Sequence, residues 1–154
     1  MGRKQSCVRG SRVIEQPAAA LDGDIYQDPA DRWIVRPYRP GDEVQIIDLF
    51  QRVFGVTRSL DHWRWKFQAN PVGHYYMRLA ETPAGEVVGQ YVGLPARATY
   101  GERTRIFTQI IDVAVDPRFR RGLKRPGLFG TLADAYIDDY LASGKVSIGY
   151  GFPT

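Results

Sequence analysis

Hydrophobic and polar positions follow no sustained period over residues 1–31, a stretch rich in Gly, Ser, Pro, Ala and Asp; from Trp33 onward they do. Trp33 to Arg39 alternates as a strand does, and Pro40-Gly41-Asp42 breaks it, offering Asp42 as a helix N-cap. Ile46, Ile47, Phe50, Val53 and Phe54 then recur at helical spacing, with Gly55 as the stop. A second helix is expected from about Ser59, its cap, to Ala69, where Asn70-Pro71 ends it. Three antiparallel strands follow: Tyr75 to Glu81, Glu86 to Leu94 and Thr104 to Val115, turning at Thr82-Pro83-Ala84-Gly85 and at Tyr100-Gly101-Glu102-Arg103. A last helix from Gly127 puts Leu128, Leu132, Tyr136 and Tyr140 on one stripe, broadened by Phe129, Ala133 and Ala135 and closed by Gly144. Val146 to Tyr150 reads as a short final strand.

The order strand, two helices, three strands, helix, strand makes this a mixed α/β chain of α+β type, with a mainly antiparallel sheet flanked by helices. Its 154 residues fit one domain, expected over residues 32–154, behind a mobile N-terminal extension over residues 1–31 whose composition buries too little apolar surface to order itself. Hydrophobic residues make up 44% and charged residues 25%, an ordinary globular composition, and no apolar run approaches the roughly 20 residues a membrane span needs. Cys7 is the single cysteine, which excludes a disulfide framework and fits a reducing, cytoplasmic setting.

Charge changes the picture because of where it lies. The net charge is +4, and Arg3, Lys4, Arg9 and Arg12 supply all of it, leaving residues 13–154 balanced. Within those, Arg118, Arg120, Arg121, Lys124 and Arg125 crowd into one loop, so the rest of the domain is mildly acidic. That loop joins the apolar strand ending at Val115, through Asp116-Pro117, to the helix opening at Gly127. Basic loops of this kind are ordinarily only solvated. A strand directly before and a glycine-plus-cation helix entry directly after favour an anion site: free N–H groups at a helix start, the positive end of the dipole and arginines together suit a phosphate or pyrophosphate.

The string DVAVDPRFRRG followed by RPGLFGTLADAY resembles the acyl-CoA-binding core of the GNAT N-acetyltransferases, in which a strand leads into an Arg/Gln-x-x-Gly-x-Gly/Ala pyrophosphate loop and then a helix. HWRWKFQANPVG (His62 to Gly73) and the terminal YGFP are similar to a GNAT subgroup with a Trp-rich second helix and a Gly-Phe-Pro-Asn step, although Thr154 stands where that step has Asn. Here Arg121-Gly122 and Arg125-Pro126-Gly127 are separated by Leu123-Lys124, so either half can be the cradle. The resemblance implies an N-acetyltransferase that moves an acetyl group from acetyl-CoA to a small-molecule or peptide amine by direct attack. It implies that the backbone of Val113, Ala114 and Val115 holds the pantetheine arm. Arg120, Arg121, Gly122, Arg125, Gly127 and Leu128 would surround the pyrophosphate. It further implies one more helix and two more strands after the fifth strand, which this sequence lacks, so an incomplete acyltransferase is expected with Val146, Ile148 and Phe152 poorly covered.

Asp112 interrupts the apolar run Ile110 to Val115, and a carboxylate there is costly unless it is hydrogen-bonded or beside a cavity. With its pKa raised by burial it would serve as the catalytic base, the alternative being a structural hydrogen bond to a neighbouring loop. Gln109 cannot be a base but can orient water or substrate. Trp63, Trp65 and Phe67 are expected to pack against the sheet, with an aromatic wall for the acceptor as the alternative. His62 and His74 have no cysteine partner and make no metal site. Two rivals remain: a CoA-binding protein of the same fold without catalysis, and a basic nucleic-acid-binding module, which the acidic remainder of the surface disfavours.

Overall fold

The computed structural model describes residues 26–27, 32–120 and 127–152. Among these residues six strands form one sheet in sequence order: β1 (Tyr26–Gln27), β2 (Ile34–Pro37), β3 (Tyr76–Glu81), β4 (Val87–Tyr100), β5 (Arg103–Val115) and β6 (Ile148–Gly151). All neighbours are antiparallel except β5 and β6, which run parallel. Helix α1 (Glu43–Phe54) and helix α2 (Leu60–Trp63, continuing as a π-helical turn over Arg64–Gln68) lie on one face. There Ile46, Trp63 and Phe67 pack on Met77, Leu79 and Val92. Helix α3 (Leu128–Tyr136, continuing as a π-helical turn over Ile137–Ala142) covers the other face, where Leu128, Leu132 and Ala135 meet Val35, Ala80 and Val115. Both faces are covered at the end of β5, which is why residues 110–115 show no polar–apolar alternation. Among the described residues no helix is long and apolar enough to cross a membrane.

The predicted helix signals act largely as expected. Gly55 closes α1 at φ +70°, with its N–H donating to the Gln51 carbonyl, and Ser59 caps α2 by accepting from the His62 N–H at 3.1 Å. The stripe Leu128, Leu132, Tyr136 and Tyr140 is buried throughout, with Ala135, whereas Phe129 is exposed. Asp42 differs from expectation. It sits at the α1 N-cap position, but its carboxylate grips the buried Arg36 guanidinium at 2.7 and 2.8 Å and accepts from the Arg39 N–H, because an ion pair in the core outweighs a cap.

Three other differences bear on the site. Tyr26–Gln27 pairs with Ile34 and Val35, so the sheet reaches into the segment expected to be a separate extension. Strand β4 runs to Tyr100 rather than stopping at Leu94, forming a long hairpin with β5 around Gly101 and Glu102. At the far edge, β6 leaves Ile148 at 47% and Phe152 at 72% exposure, as expected, but Val146 is 1% exposed: its N–H donates to the Tyr140 carbonyl, which tucks it beneath the Tyr76, Tyr136 and Tyr140 cluster.

Candidate functional site

Strands β5 and β6 pair only from Phe107 to Ile110, so on that side Ile111 to Val115 run on with no strand beside them among the described residues. A β-bulge sits at this point. Gln90 pairs with Ala114 and Val92 with Ile111, so Asp112 and Val113 together oppose Tyr91. Beyond the bulge the Asp116 N–H donates to the Val88 carbonyl across β4. The two-residue period then turns the backbone groups of Ala114 toward β4 as well, and those of Val113 and Val115 toward the open side. The Arg120 Nε, reaching the Val115 carbonyl from that side at 2.9 Å, agrees with this.

A slot of about 350 Å³ follows this open edge. Val53 and Phe54 from the end of α1 form one wall, and Phe119, Arg120 and the first residues of α3 (Gly127, Leu128, Phe129) form the other. Five sequence-predicted residues are thereby brought together: Val113, Val115, Arg120, Gly127 and Leu128. Ala114 is not among them, because its backbone faces β4 and its side chain packs with Leu49 and Val87 under α1. Arg121, Gly122 and Arg125 lie outside the described residues. Helical spacing groups Phe54 with Ile46 and Phe50, and Phe129 with the last helix's stripe, yet both are exposed at the slot. The available signal was position: Phe54 is the last residue before Gly55, and Phe129 lies off the Leu128–Leu132 stripe.

The first cation of the basic loop is committed elsewhere. Arg118 donates to the Asp116 carboxylate through its backbone N–H (2.9 Å) and its guanidinium (3.0 and 2.8 Å), and to Glu86 at 2.5 Å, while Arg52 adds a further bond to Asp116 at 3.1 Å. These partners, Arg118 foremost, hold the Asp116 carboxyl at about 2, against an ordinary 3.8. Because the folded-state value is the lower one, the stability Asp116 contributes is fully present above about 3.8 and is lost as pH falls toward about 2. Urea melts from pH 5 to pH 2 are expected to show a decline that is shallower in Asp116→Asn; an unchanged slope would remove this carboxylate from the account.

On the α1–α2 face of the bulge, Asp112 is the one non-glycine among the described residues with positive φ, at +51°. Such a conformation costs about 1–3 kcal/mol and persists only where surroundings enforce it. They do here: Arg58 donates two bonds to the carboxylate (2.5 and 3.1 Å), Lys66 one (2.8 Å), and the Gln90 side chain donates to the Asp112 carbonyl at 2.5 Å. Burial pushes the Asp112 carboxyl up, but the hydrogen bonds and charges of Arg58 and Lys66 together outweigh it and hold the pKa below the usual carboxylate value. The expectation of a base raised by burial is corrected by these ion pairs. Beneath the cluster is a cavity of about 10 Å³, lined in part by Trp63 and Gln90. Trp63 and Phe67 belong to the core while Trp65 is exposed, so the three make no continuous aromatic wall. His62 lies edge-on to Trp65 and His74 edge-on to Tyr76.

The overall fold that builds this edge is shared with known proteins. The chain superposes on a conserved protein of Enterococcus faecalis with a TM-score of 0.59 at 16% identity, covering 79% of this chain and 29% of that one. Glucosamine-6-phosphate N-acetyltransferase from Arabidopsis thaliana gives 0.58 at 17% identity, over 79% of this chain and 82% of the other. An aminoglycoside acetyltransferase from an uncultured soil metagenomic sample, solved in complex with sisomicin, gives 0.61 at 20%, over 81% and 80%. No curated protein matches the sequence. These likenesses show the fold. The model of the acetyltransferase (GNAT) domain matches residues 34–154, spanning strands β2 to β6, the bulge and the slot alike, and the chain therefore belongs to the GNAT acetyltransferase family.

Proposed function

We propose that this chain transfers an acetyl or other acyl group from its coenzyme A thioester to an amine. The observation that carries this is the open edge of β5, where Val113 and Val115 turn backbone donors and acceptors into a slot that ends at the start of α3. An extended amide-bearing arm can add to that edge as a strand would, and the early N–H groups of α3, with Arg120 on the same slot, suit a pyrophosphate, to which Arg121, Gly122 and Arg125, just before α3 in the sequence, would add. Acetyl-CoA would supply the thioester: the amine forms the new C–N bond, the C–S bond breaks, and the thiol is released. A backbone N–H at the bulge would polarise the thioester carbonyl. In this reading Asp112 is a positioning residue that, clamped by Arg58 and Lys66, fixes the bulge presenting Val113.

Binding by CoA should raise the melting temperature, a stabilisation of about 2.7 kcal/mol at a hundredfold excess over Kd. Arg121→Glu combined with Arg125→Glu should abolish that shift while leaving the unliganded protein's melting temperature within a few degrees, since the charges of a basic loop ordinarily contribute little to folding. A full CoA shift in the double variant would refute the assignment of the loop. Acetyl transfer to a panel of primary amines then separates an enzyme from a protein that only binds CoA.

A further inference from the structure

We propose, resting on the acyl-transfer reading, that the amine acceptor carries an anionic group, a carboxylate or a phosphate, a few bonds from its nitrogen, and that Arg58 and Lys66 bind it. With the pyrophosphate at the start of α3, the arm of the donor runs from Val115 toward Val113, and its thioester arrives beside Asp112. The acceptor must meet it there, on the face where Arg58 and Lys66 stand.

Among the described residues the charge at that point is unbalanced. Among the described residues, Asp112 is the only carboxylate within ion-pair distance of either cation. One negative charge therefore faces two positive ones. The side chains are 21% (Arg58), 17% (Lys66) and 10% (Asp112) exposed, so water screens the surplus only in part, yet the cations remain reachable from outside. A half-buried excess charge is unfavourable unless a counter-charge joins it. Donor capacity is also left over: Asp112 takes two of the five N–H groups of Arg58 and one of the three of Lys66. The Arg58 guanidinium lies 3.7 Å over the Phe50 ring, which fixes the plane of its fork. Lys66 stands in the π-helical turn, whose irregular spacing sends it toward the bulge while Phe67 enters the core. Two fixed cations on rigid elements suit an anion, and they disfavour a polycationic acceptor such as the sisomicin bound by the metagenomic acetyltransferase.

The test is equilibrium binding, in the presence of CoA, of matched amines differing in one anionic group: O-phosphoethanolamine against ethanolamine, and β-alanine against β-alaninamide, with sisomicin as the cationic arm. The anionic member of at least one pair is expected to bind about tenfold or more tightly than its neutral partner, and the two pairs distinguish phosphate from carboxylate. Lys66→Gln leaves the Arg58–Asp112 pair intact and is expected to fold, which an unchanged CoA thermal shift would verify. It should reduce the preference to about threefold or less, and Lys66→Arg should restore it. Equal or tighter binding of the neutral amines or sisomicin, a preference surviving Lys66→Gln, or binding of none of the five ligands would each overturn the proposal. Turnover is read separately. Preference without transfer would sink the acyl-transfer reading and keep the anion site; transfer without preference would do the reverse.

Discussion

Gly93→Ala is expected to destabilise the fold by about 3 kcal/mol, the upper end of the usual overpacking range. A Cβ at this position would stand 1.9 Å from the Tyr136 hydroxyl and 2.9 Å from the Thr108 Cβ. The ring cannot simply step aside. Tyr136 is fully buried, donates to the Thr108 hydroxyl at 2.8 Å, and packs against Tyr91 and Tyr140 with ring centroids 5.0 Å away. Moving it breaks that bond and loosens α3, whose first residues form one wall of the slot. Denaturant melts of Gly93→Ala alone and with Tyr136→Phe would check this, the second change recovering part of the loss by removing the clashing oxygen. Gly130→Ala is the control: nothing lies within 4 Å of its Cβ and the position is helical, so it should stabilise by about 0.5–1 kcal/mol. A Gly93→Ala protein within 0.5 kcal/mol of the parent would refute the packing argument.

The parts of this fold legible in the sequence are those set by local chemistry. Helix α1 follows from the spacing of Ile46, Ile47, Phe50, Val53 and Phe54 and from Gly55, and α3 from the Leu128–Leu132–Tyr136–Tyr140 stripe. The end of β4 was not legible, because Pro95 reads as a strand breaker. The structure tolerates it: the last β3 pairing is Tyr76 with Gly93, and beyond it the Pro95 carbonyl accepts from the Asn70 side chain at 3.2 Å. The missing N–H lies on that same side, where no strand remains to receive it. β1 was illegible for another reason, since two residues in a polar stretch carry no period. At the site, Asp112 stood out as a lone carboxylate in an apolar run. Its partners did not, because Arg58 and Lys66 lie 54 and 46 residues away and only the fold brings them to it. The inward turn of Ala114 was hidden too, since the phase of backbone groups along β5 depends on a bulge that the sequence does not mark.

Asp112→Asn is expected to lower stability by about 2 kcal/mol and to slow acyl transfer about tenfold, without moving the pH at which transfer rises. Asn tolerates the left-handed backbone at this position at least as well as Asp, so the substitution tests charge more than conformation. Removing the charge strands two half-buried cations that a neutral amide does not compensate, which is less severe than breaking a fully buried pair. Because Arg58 and Lys66 hold the Asp112 pKa below the ordinary carboxylate value, its stabilising contribution is complete above that ordinary value and is lost as pH falls through the lower one. From pH 5 to 9 the carboxylate stays ionised, so a rise in rate within that window belongs to another group. Adding Lys66→Gln should recover part of the stability by removing one stranded cation, a non-additive result that a clamp predicts and a free base does not. A loss of transfer well beyond a hundredfold in Asp112→Asn, with CoA binding and stability intact, would instead return Asp112 to the role of general base, since proton transfer by a positioned carboxylate contributes about 10²–10⁴-fold.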